Sequence, residues 1–570
     1  MRPWLAVALL CQLGLPLGYA WTTPAFEGPD ENDHAYYASH LAHRRSLPIV
    51  LRSAKAIGGS PWDEASLGHH PPLYYTLLAI TMHAAGAPDT IPSWKNAADG
   101  DRPTHHWRHG YDEVAPVSAE ITLLRLLRGW SVLCGLASVL LTHRLGRLLV
   151  PTQPGVADAA ALLLACLPQW SFMHGVLDNG NLASTLGLAT LVLLAGCAVQ
   201  GRVTRARAAA LGVTIGLALI TKLTCLFLLP VAGTAWLWLL WRDAPRRGAT
   251  FGAGMLTLAL TGLSSAWFFV RNALLYGDAL AVEAHRAAYA TNRVPEDLKW
   301  GWLFGDFGPQ LGTSLVGNFG WMSLAAPWPW LVVVAGAALA ALLGWIWRGR
   351  RLGAHPAVLL LTLATAALVA AQVLRFNWDF FQPQGRYLFP AAGALAVLVA
   401  AGLAALPAVP TGLRVLLGGA LPVGAVATLA FHFAPAFAVE PGAGVAREYA
   451  SMVAGLATPV PPERQQIEAL EPADGAELTA PPTFRWRASL GPAARYTVHM
   501  FNAEGRVLFG THEWAGTAFD GDHWPMPEAY WAMIPMGEEL WWKIRRLPDR
   551  AAHESVEDVE ESPPRRLVRR

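Results

Sequence analysis

Eleven apolar stretches dominate the first 435 residues of this chain, and each is long enough to cross a lipid bilayer as a helix. Only 15% of the 570 residues are charged, which excludes an ordinary soluble domain. The sequence therefore predicts an all-α polytopic membrane domain of about 11 transmembrane helices over residues 1–435. The stretches lie near 4–21, 121–142, 157–173, 182–199, 206–221, 224–241, 251–270, 327–347, 355–374, 388–407 and 413–434.

Arginines occupy every second connection between these stretches. Basic clusters of this kind mark cytoplasmic loops, so we expect the N-terminus inside and the alternate connections outside. The external loop 22–118 is the longest of these, and residues after 435 also fall outside because the number of spans is odd. Abundant alanine and arginine are typical of a high-GC bacterium, which predicts a cytoplasmic-membrane location. The arginines are Arg144, Arg147, Arg202, Arg205, Arg207, Arg242, Arg246, Arg247, Arg348, Arg350, Arg351 and Arg414.

The first apolar stretch has a second interpretation. Residues 1–20 end in the small residues of "PLGYAW", as a cleaved signal peptide would. The sequence leaves both interpretations open, and cleavage would not change the rest of the topology.

The C-terminal region shows the period-two alternation of β-strands. Segments 482–489, 495–510 and 539–547 alternate apolar and polar residues, and "NAEG" after Phe501 is typical of a hairpin turn. We predict a linker over 436–465 and an external β-sandwich, resembling a fibronectin type III-like domain, over 466–550. Residues 551–570 are charged and lack an apolar period, so a disordered tail is expected.

Charge and cysteine content exclude several functions. The net charge is only +2 and the arginines are scattered, so nucleic acid is not an expected partner. All five cysteines lie in apolar stretches, which argues against a disulfide framework or a thiolate metal site.

An acidic motif follows the first apolar stretch. "FEGPDENDHAYYASHLA" (26–42) places Glu27, Asp30, Glu31 and Asp33 at the head of the external loop. Asp30 suits the N-cap of a following helix, and the oxygen spacing of a calcium loop is absent. Capping does not explain why the acids gather at a membrane face, where a carboxylate can act as a general base. Both interpretations stay open.

A second motif, "GHHPPLYYTLLAITMHAAG" (68–86), predicts a helix that starts near Pro72 and is too short to span a bilayer. We expect it to lie in the membrane interface with Tyr74 and Tyr75 at headgroup level. His69 and His70 are then placed either in solvent or against a substrate.

Basic residues are predicted at the same external face. Lys222 interrupts two apolar stretches, Arg271 ends a span, and Arg375 and Arg386 precede another. Each residue alone fits interfacial anchoring or snorkelling. Together they suggest an anionic lipid headgroup, because arginine binds phosphate in a bidentate manner. Asp178 and Asn181, in "LDNGN", either support the acids or cap the next helix.

Taken in order, these motifs resemble the GT-C superfamily of membrane glycosyltransferases that use polyprenyl-phosphate sugars. They are most similar to the protein O-mannosyltransferase and lipid A aminoarabinose transferase types. The resemblance covers roughly residues 20–435. It rests on "DENDHAYYASHLA", "HPPLYY", the "TK" at Lys222, "VRNALLYGD" and "GRYLFP".

The resemblance implies an active site at the outer face and an inverting transfer from a polyprenyl-phosphate-linked sugar donor to a lipid, glycan or protein acceptor. Asp30 matches the catalytic acid and Glu31 the residue beside it. The remaining residues assigned to substrate or lipid-phosphate binding are Lys222, Arg271, Arg386, His34, His69, His70, Tyr74 and Asp178. His34 stands where many relatives have arginine, and "DNGN" replaces a paired-acid motif. No cofactor is therefore firmly implied, and a divalent cation stays open.

Two other classes of protein share this topology. A secondary transporter would show paired inverted halves, and the sequence shows no such symmetry. A catalytically silent membrane protein that binds a glycolipid or glycan would keep the fold and lack the transfer.

Overall fold

A computed structural model describes most of the chain. The described residues are 3–51, 53, 57, 64–86, 104, 119–242, 246–407, 411–439, 466–489, 496–502, 507–510, 521–526, 531, 536–537, 539–546 and 560–570. They belong to two compact units, one comprising the described residues up to Val439 and the other those from 466 onward.

The first unit is a polytopic helical membrane domain, as the sequence predicts. Nine helices among the described residues are long and apolar enough to cross a membrane: Pro3–Thr22, Ile121–Leu149, Asn179–Gln200, Leu223–Arg242, Arg247–Tyr276, Pro329–Leu352, Pro356–Asp379, Gly385–Ala405 and Gly418–Ala436. Shorter helices are Glu31–Arg44, Leu73–Ala84, Pro154–Ala165, Pro168–Met173, Arg205–Leu219, Val282–Ala288, Lys299–Phe304 and Phe307–Val316. Four short strands pair as Ile49–Val50 with Glu64–Ala65 and Asn318–Phe319 with Leu324–Ala325.

Nine of the 11 predicted spans are continuous helices of full length among the described residues. Two predicted spans are helices that fall short of full length. Leu167 is extended (φ −70°, ψ 117°), as expected before a proline, and so it divides the stretch near 157–173 into two short helices. Arg205–Leu219 has 15 residues and is followed by the extended Lys222 (φ −156°, ψ 134°).

Small residues hold the short helix Arg205–Leu219 against the long helix Arg247–Tyr276. A Cβ on Gly212 would lie 2.6 Å from the Thr257 carbonyl oxygen, so only glycine permits this approach. The hydroxyl of Thr257 donates to the Ala208 carbonyl at 3.0 Å, and that of Thr261 donates to the Gly212 carbonyl at 3.1 Å. Close backbone packing and interhelical hydrogen bonds replace the hydrophobic effect, which does not drive association between helices in lipid.

The two helices predicted outside the spans are confirmed, with one correction. Glu31–Arg44 begins after Asp30, and the 12-residue helix Leu73–Ala84 begins after Pro72. Tyr74 and Tyr75 are fully buried inside the protein, so their rings are not exposed to lipid headgroups. Tyr75 stacks on Tyr37 with ring centroids 3.9 Å apart, so the two helices pack through these rings. The predicted external loop also includes 87–103 and 105–118, which lie outside the described residues.

The second unit is the predicted β-sandwich. One sheet contains His523–Pro525, Thr483–Ala488 and Ile467–Glu471, and the other contains Ala476–Leu478, Arg565–Arg569, Glu539–Arg546, Tyr496–Asn502 and Val507–Gly510, each in spatial order. Phe484 of the first sheet meets Trp542 of the second edge-on at 4.8 Å, which is where the two sheets share a core.

Two expectations for this unit changed. The prediction of a disordered tail over 551–570 was wrong for Arg565–Arg569. This strand pairs with both Glu539–Arg546 and Ala476–Leu478. Leu567 supplies the reason, because it is fully buried in the core between the sheets. The pairing with Ala476–Leu478 is parallel, which departs from a purely antiparallel sandwich. The predicted linker 436–465 lies outside the described residues from 440 onward.

Candidate functional site

Asp30 occupies an unusual backbone position. Its φ of 60° lies in the left-handed region, where a non-glycine residue is uncommon, and its side chain makes no capping hydrogen bond to the helix that follows. The capping interpretation therefore fails for this carboxylate. The carboxylate instead contacts the Nη2 atom of Arg386, 356 residues away in the sequence.

Asp30 belongs to a network of four charged side chains. Arg386 contacts Asp30 through Nη2 and donates from Nη1 to Asp178 at 3.0 Å. The Nζ atom of Lys222 lies 3.5 Å from the other carboxylate oxygen of Asp178. Two acids and two bases thus balance each other, and the structure brings together four of the residues that the sequence singled out.

Breaks and ends of the membrane helices position these side chains. Asp178 is the N-cap of Asn179–Gln200 and accepts from the Gly180 amide, while Lys222 lies in the extended break before Leu223–Arg242. Arg386 begins the span Gly385–Ala405. Gly385 donates its amide to Ser314 at 2.8 Å, which fixes that start.

The members of the network differ in exposure. The side chains of Arg386 and Asp178 are each 4% exposed, that of Lys222 is 16% exposed and that of Asp30 is 37% exposed. Burial raises the pKa of Asp178, but the charges of Lys222 and Arg386 outweigh it and leave the pKa below its usual range. Asp178 is therefore the buried anion that holds both cations. Asp30 is the solvent-exposed acid of the network.

Glu31 has a different role from the one that the resemblance implies. Its side chain is fully buried and forms a bidentate ion pair with Arg128, with N–O distances of 2.8 and 2.7 Å. The Leu177 amide also donates to it at 3.0 Å. These bonds engage both carboxylate oxygens and give Glu31 a structural contact.

Arg128 was missed from the sequence. It also donates to the carbonyls of Ala20, Thr23 and Pro24, at 2.8, 2.7 and 3.0 Å. Together with Glu31 it ties the end of the first span to the segment that carries Asp30. The sequence does contain a signal for this role, because an arginine inside a membrane span is energetically costly unless it has partners.

The histidines assigned to substrate binding form a buried cluster around Tyr75. His34 and His70 each place Nδ1 against the Tyr75 hydroxyl, at 2.9 and 2.8 Å. Burial lowers the pKa of His34 to about 4 and lowers that of His70 well below its usual value. Both rings are therefore neutral near pH 7 and offer no positive charge to a phosphate.

Three further predicted residues lie in other contacts. The rings of His69 and His285 are 4.3 Å apart, and Tyr74 shares a hydrogen bond of 3.1 Å with Ser131. Arg271 donates to the carbonyls of Leu47 and Pro48, at 3.3 and 2.9 Å. The structure thus gives Arg271 a partner other than the acids of the network.

A metal site is not evident in the part of the chain that the structure describes. No group of three or more His, Cys, Asp or Glu side chains is placed there to hold a metal ion.

We expect acid to destabilise the fold through the buried histidines. His34 and His285 keep a pKa of about 4 in the folded chain, whereas unfolded histidine has its ordinary value of 6.5. Between these values the unfolded state binds more protons, so stability falls as the pH falls. Thermal unfolding measured from pH 7 to pH 4.5 should show this decline, and His34→Asn should flatten it. The matched control is the same substitution at an exposed histidine, His83→Asn.

Comparison by sequence gives no match, whereas comparison by structure gives similar solved structures. No protein-family model matches the chain, and no curated protein matches it. It is similar to ArnT from Cupriavidus metallidurans bound to undecaprenyl phosphate, with 15% identity and a TM-score of 0.44 over 80% of this chain and 68% of ArnT. An oligosaccharyltransferase from Archaeoglobus fulgidus, tethered with an acceptor peptide, shows 14% identity and a TM-score of 0.46 over 80% of this chain and 57% of its own.

A third similar structure is the arabinosyltransferase EmbB from Mycobacterium smegmatis. It shows 15% identity and a TM-score of 0.42 over 86% of this chain and 45% of EmbB. The chain thus spans less than half of EmbB.

Proposed function

We propose that the chain is a membrane glycosyltransferase that moves a sugar from a polyprenyl-phosphate donor to an acceptor hydroxyl with inversion. The observation that carries the proposal is the network in which Arg386 joins the exposed Asp30 to the buried pair of Asp178 and Lys222. It combines a base that a substrate can reach with two cations suited to a phosphate. The sequence resemblance supplies the donor class.

The two cations differ in what they can offer to a phosphate. Arg386 already donates to Gln384, Pro29, Asp178 and Asp30. Lys222 has one long contact, to Asp178 at 3.5 Å, among the described residues. Lys222 is therefore the principal phosphate ligand in the proposal, and Arg386 mainly orients Asp30.

The reaction follows from these roles. The Asp30 carboxylate takes the proton of the acceptor hydroxyl as that oxygen attacks the anomeric carbon from the side opposite the phosphate. The bond from that carbon to the phosphate oxygen breaks, and both electrons leave with the phosphate. Lys222 and Arg386 stabilise the charge that grows there in the transition state.

The topology supports an outer-face site in a bacterial cytoplasmic membrane. Asp178 lies at the start of the helix Asn179–Gln200, whereas the basic connection with Arg202 follows its end. The basic connections are cytoplasmic under the positive-inside rule, so the network belongs to the opposite face. The second unit follows an odd number of spans and is external in the same proposal.

Gly180 offers a test of the phosphate site. A Cβ at this position would lie 2.7 Å from an Asp178 carboxylate oxygen and 3.3 Å from Lys222 Nζ. We expect Gly180→Ala to lower transfer by on the order of 10- to 100-fold, because both groups must shift. Gly196→Ala is the matched control on the same helix, since a Cβ there meets no atom within 4 Å. Equal activity of the two variants would contradict the proposed role of Lys222 in binding the phosphate.

The direct experiment is transfer of radiolabelled sugar from a panel of polyprenyl-phosphate donors in proteoliposomes. The proposal expects labelled product with wild-type protein and about 10²–10⁴-fold less with Asp30→Asn. Donor binding without any product would instead identify a silent glycolipid-binding protein. Movement of a labelled solute across the bilayer would identify a transporter.

A further inference from the structure

His34 lies within the electrostatic reach of the whole charged network. It sits in the first turn of the helix after Asp30 and is 2% exposed. The charges that act on its ring are those of Asp178, Asp30, Lys222 and Arg386. Its Nδ1 atom is engaged by Tyr75, and the described residues give its Nε2 atom no hydrogen-bond partner.

Hydrogen bonds around Tyr75 determine which nitrogen of His34 carries the proton. The Thr221 carbonyl can only accept, so the Asn179 atom 3.2 Å from it is the amide nitrogen. That nitrogen also lies 3.2 Å from His70 Nδ1, where a proton would face the amide hydrogens, so Nδ1 carries none. Its single lone pair is shared by the amide and, at the shorter distance of 2.8 Å, by the Tyr75 hydroxyl.

The direction of the next two bonds follows. The Tyr75 hydroxyl, 2.8 Å from His70 Nδ1, has to donate to it, and its oxygen is left to accept from His34 Nδ1 at 2.9 Å. His34 consequently carries its proton on Nδ1. In the neutral ring Nε2 is then a lone-pair acceptor.

We infer that His34 is a specificity-determining residue whose Nε2 accepts a hydrogen bond from a hydroxyl of the substrate beside Asp30. The inference rests on the proposed function and narrows it. A neutral acceptor nitrogen repels phosphate oxygens and attracts a hydroxyl. His34 therefore binds a carbohydrate hydroxyl, while Lys222 binds the phosphate. The hydroxyl belongs either to the transferred sugar or to the acceptor.

The experiment compares two amide variants that each keep one half of the imidazole. Asparagine at position 34 places its N–H near that of Nδ1 and can still donate to Tyr75, but it has no group at the position of Nε2. Glutamine carries its amide oxygen close to that position. We expect His34→Asn to raise the KM of one substrate about tenfold, the loss expected for one neutral hydrogen bond, with kcat nearly unchanged. His34→Gln should bring that KM part of the way back to the wild-type value.

Two measurements separate the outcomes. The substrate whose KM changes identifies whether the sugar donor or the acceptor carries the hydroxyl. Inhibition by undecaprenyl phosphate, which has no sugar, should be the same in wild type and His34→Asn. A weaker inhibition in the variant, or an unchanged KM for both substrates, would overturn the inference.

A readout without substrate distinguishes this inference from the proposed function. Nitrogen-15 NMR of labelled histidine, with His34→Asn to assign the signal, should show a neutral ring protonated on Nδ1 at pH 7. A proton on Nε2, or a charged ring, overturns the role of His34 whether or not the protein transfers sugar. Absence of transfer with this tautomer present would count against the proposed function alone.

Discussion

Replacement of Asp30 by asparagine is expected to lower sugar transfer by about 10²–10⁴-fold, the usual contribution of a general base. The variant removes the proton acceptor and keeps a side chain of the same size that can still accept from Arg386. Asparagine also tolerates the left-handed backbone at this position (φ 60°), so the local fold should persist. Initial rates in proteoliposomes and thermal unfolding of the same preparation measure the two effects.

Asp33 supplies the matched control for this experiment. It is an acid three residues further along, in the first turn of the same helix, and it accepts a hydrogen bond of 3.3 Å from Asn32. Asp33→Asn should retain activity within a few-fold. If Asp30→Asn transfers sugar at a rate close to that of Asp33→Asn, Asp30 is not the base.

The sequence predicts that the members of the charged network share one face, because each lies near the end of a membrane span. Asp178, Lys222 and Arg386 are far apart in the chain, but the alternation of basic connections places all three span ends at one face. The alternation of basic connections predicts the face that a residue occupies, but it does not predict the neighbours of the residue at that face. Arg271 shows the difference, because its partners are the carbonyls of Leu47 and Pro48.

Burial was the property that the sequence could not predict. Glu31 and His34 follow Asp30 directly in a polar motif, which suggested solvent or substrate contact for both. In the structure they are 0% and 2% exposed, because the helices Glu31–Arg44 and Leu73–Ala84 pack against each other and against the span Ile121–Leu149. His34, which the resemblance assigns to substrate binding, is therefore a buried neutral ring. Hydropathy also did not reveal that the predicted span near 157–173 is interrupted, because an extended residue before Pro168 leaves the hydropathy of the stretch unchanged.

The ion pair of Glu31 and Arg128 should make the largest contribution to stability of any single contact described above. Arg128→Met is expected to lower the free energy of unfolding by about 3–5 kcal/mol, because it leaves a buried carboxylate without its counter-charge. Three backbone carbonyls lose their donor at the same time. Chemical unfolding in detergent micelles, followed by tryptophan fluorescence, measures the loss.

Arg125, one helical turn earlier, provides the control for this variant. It stacks on Trp21 and donates to an exposed carbonyl at 3.4 Å, so Arg125→Met should cost no more than about 1 kcal/mol. The double variant Glu31→Gln with Arg128→Met should lose less than the sum of its single variants, since the charge that Arg128→Met strands is then absent. Additive losses would mean that the backbone carbonyls, and not Glu31, are what Arg128 stabilises. In that case Arg128→Lys, which keeps the charge but not the fork of donors, should be as damaging as Arg128→Met.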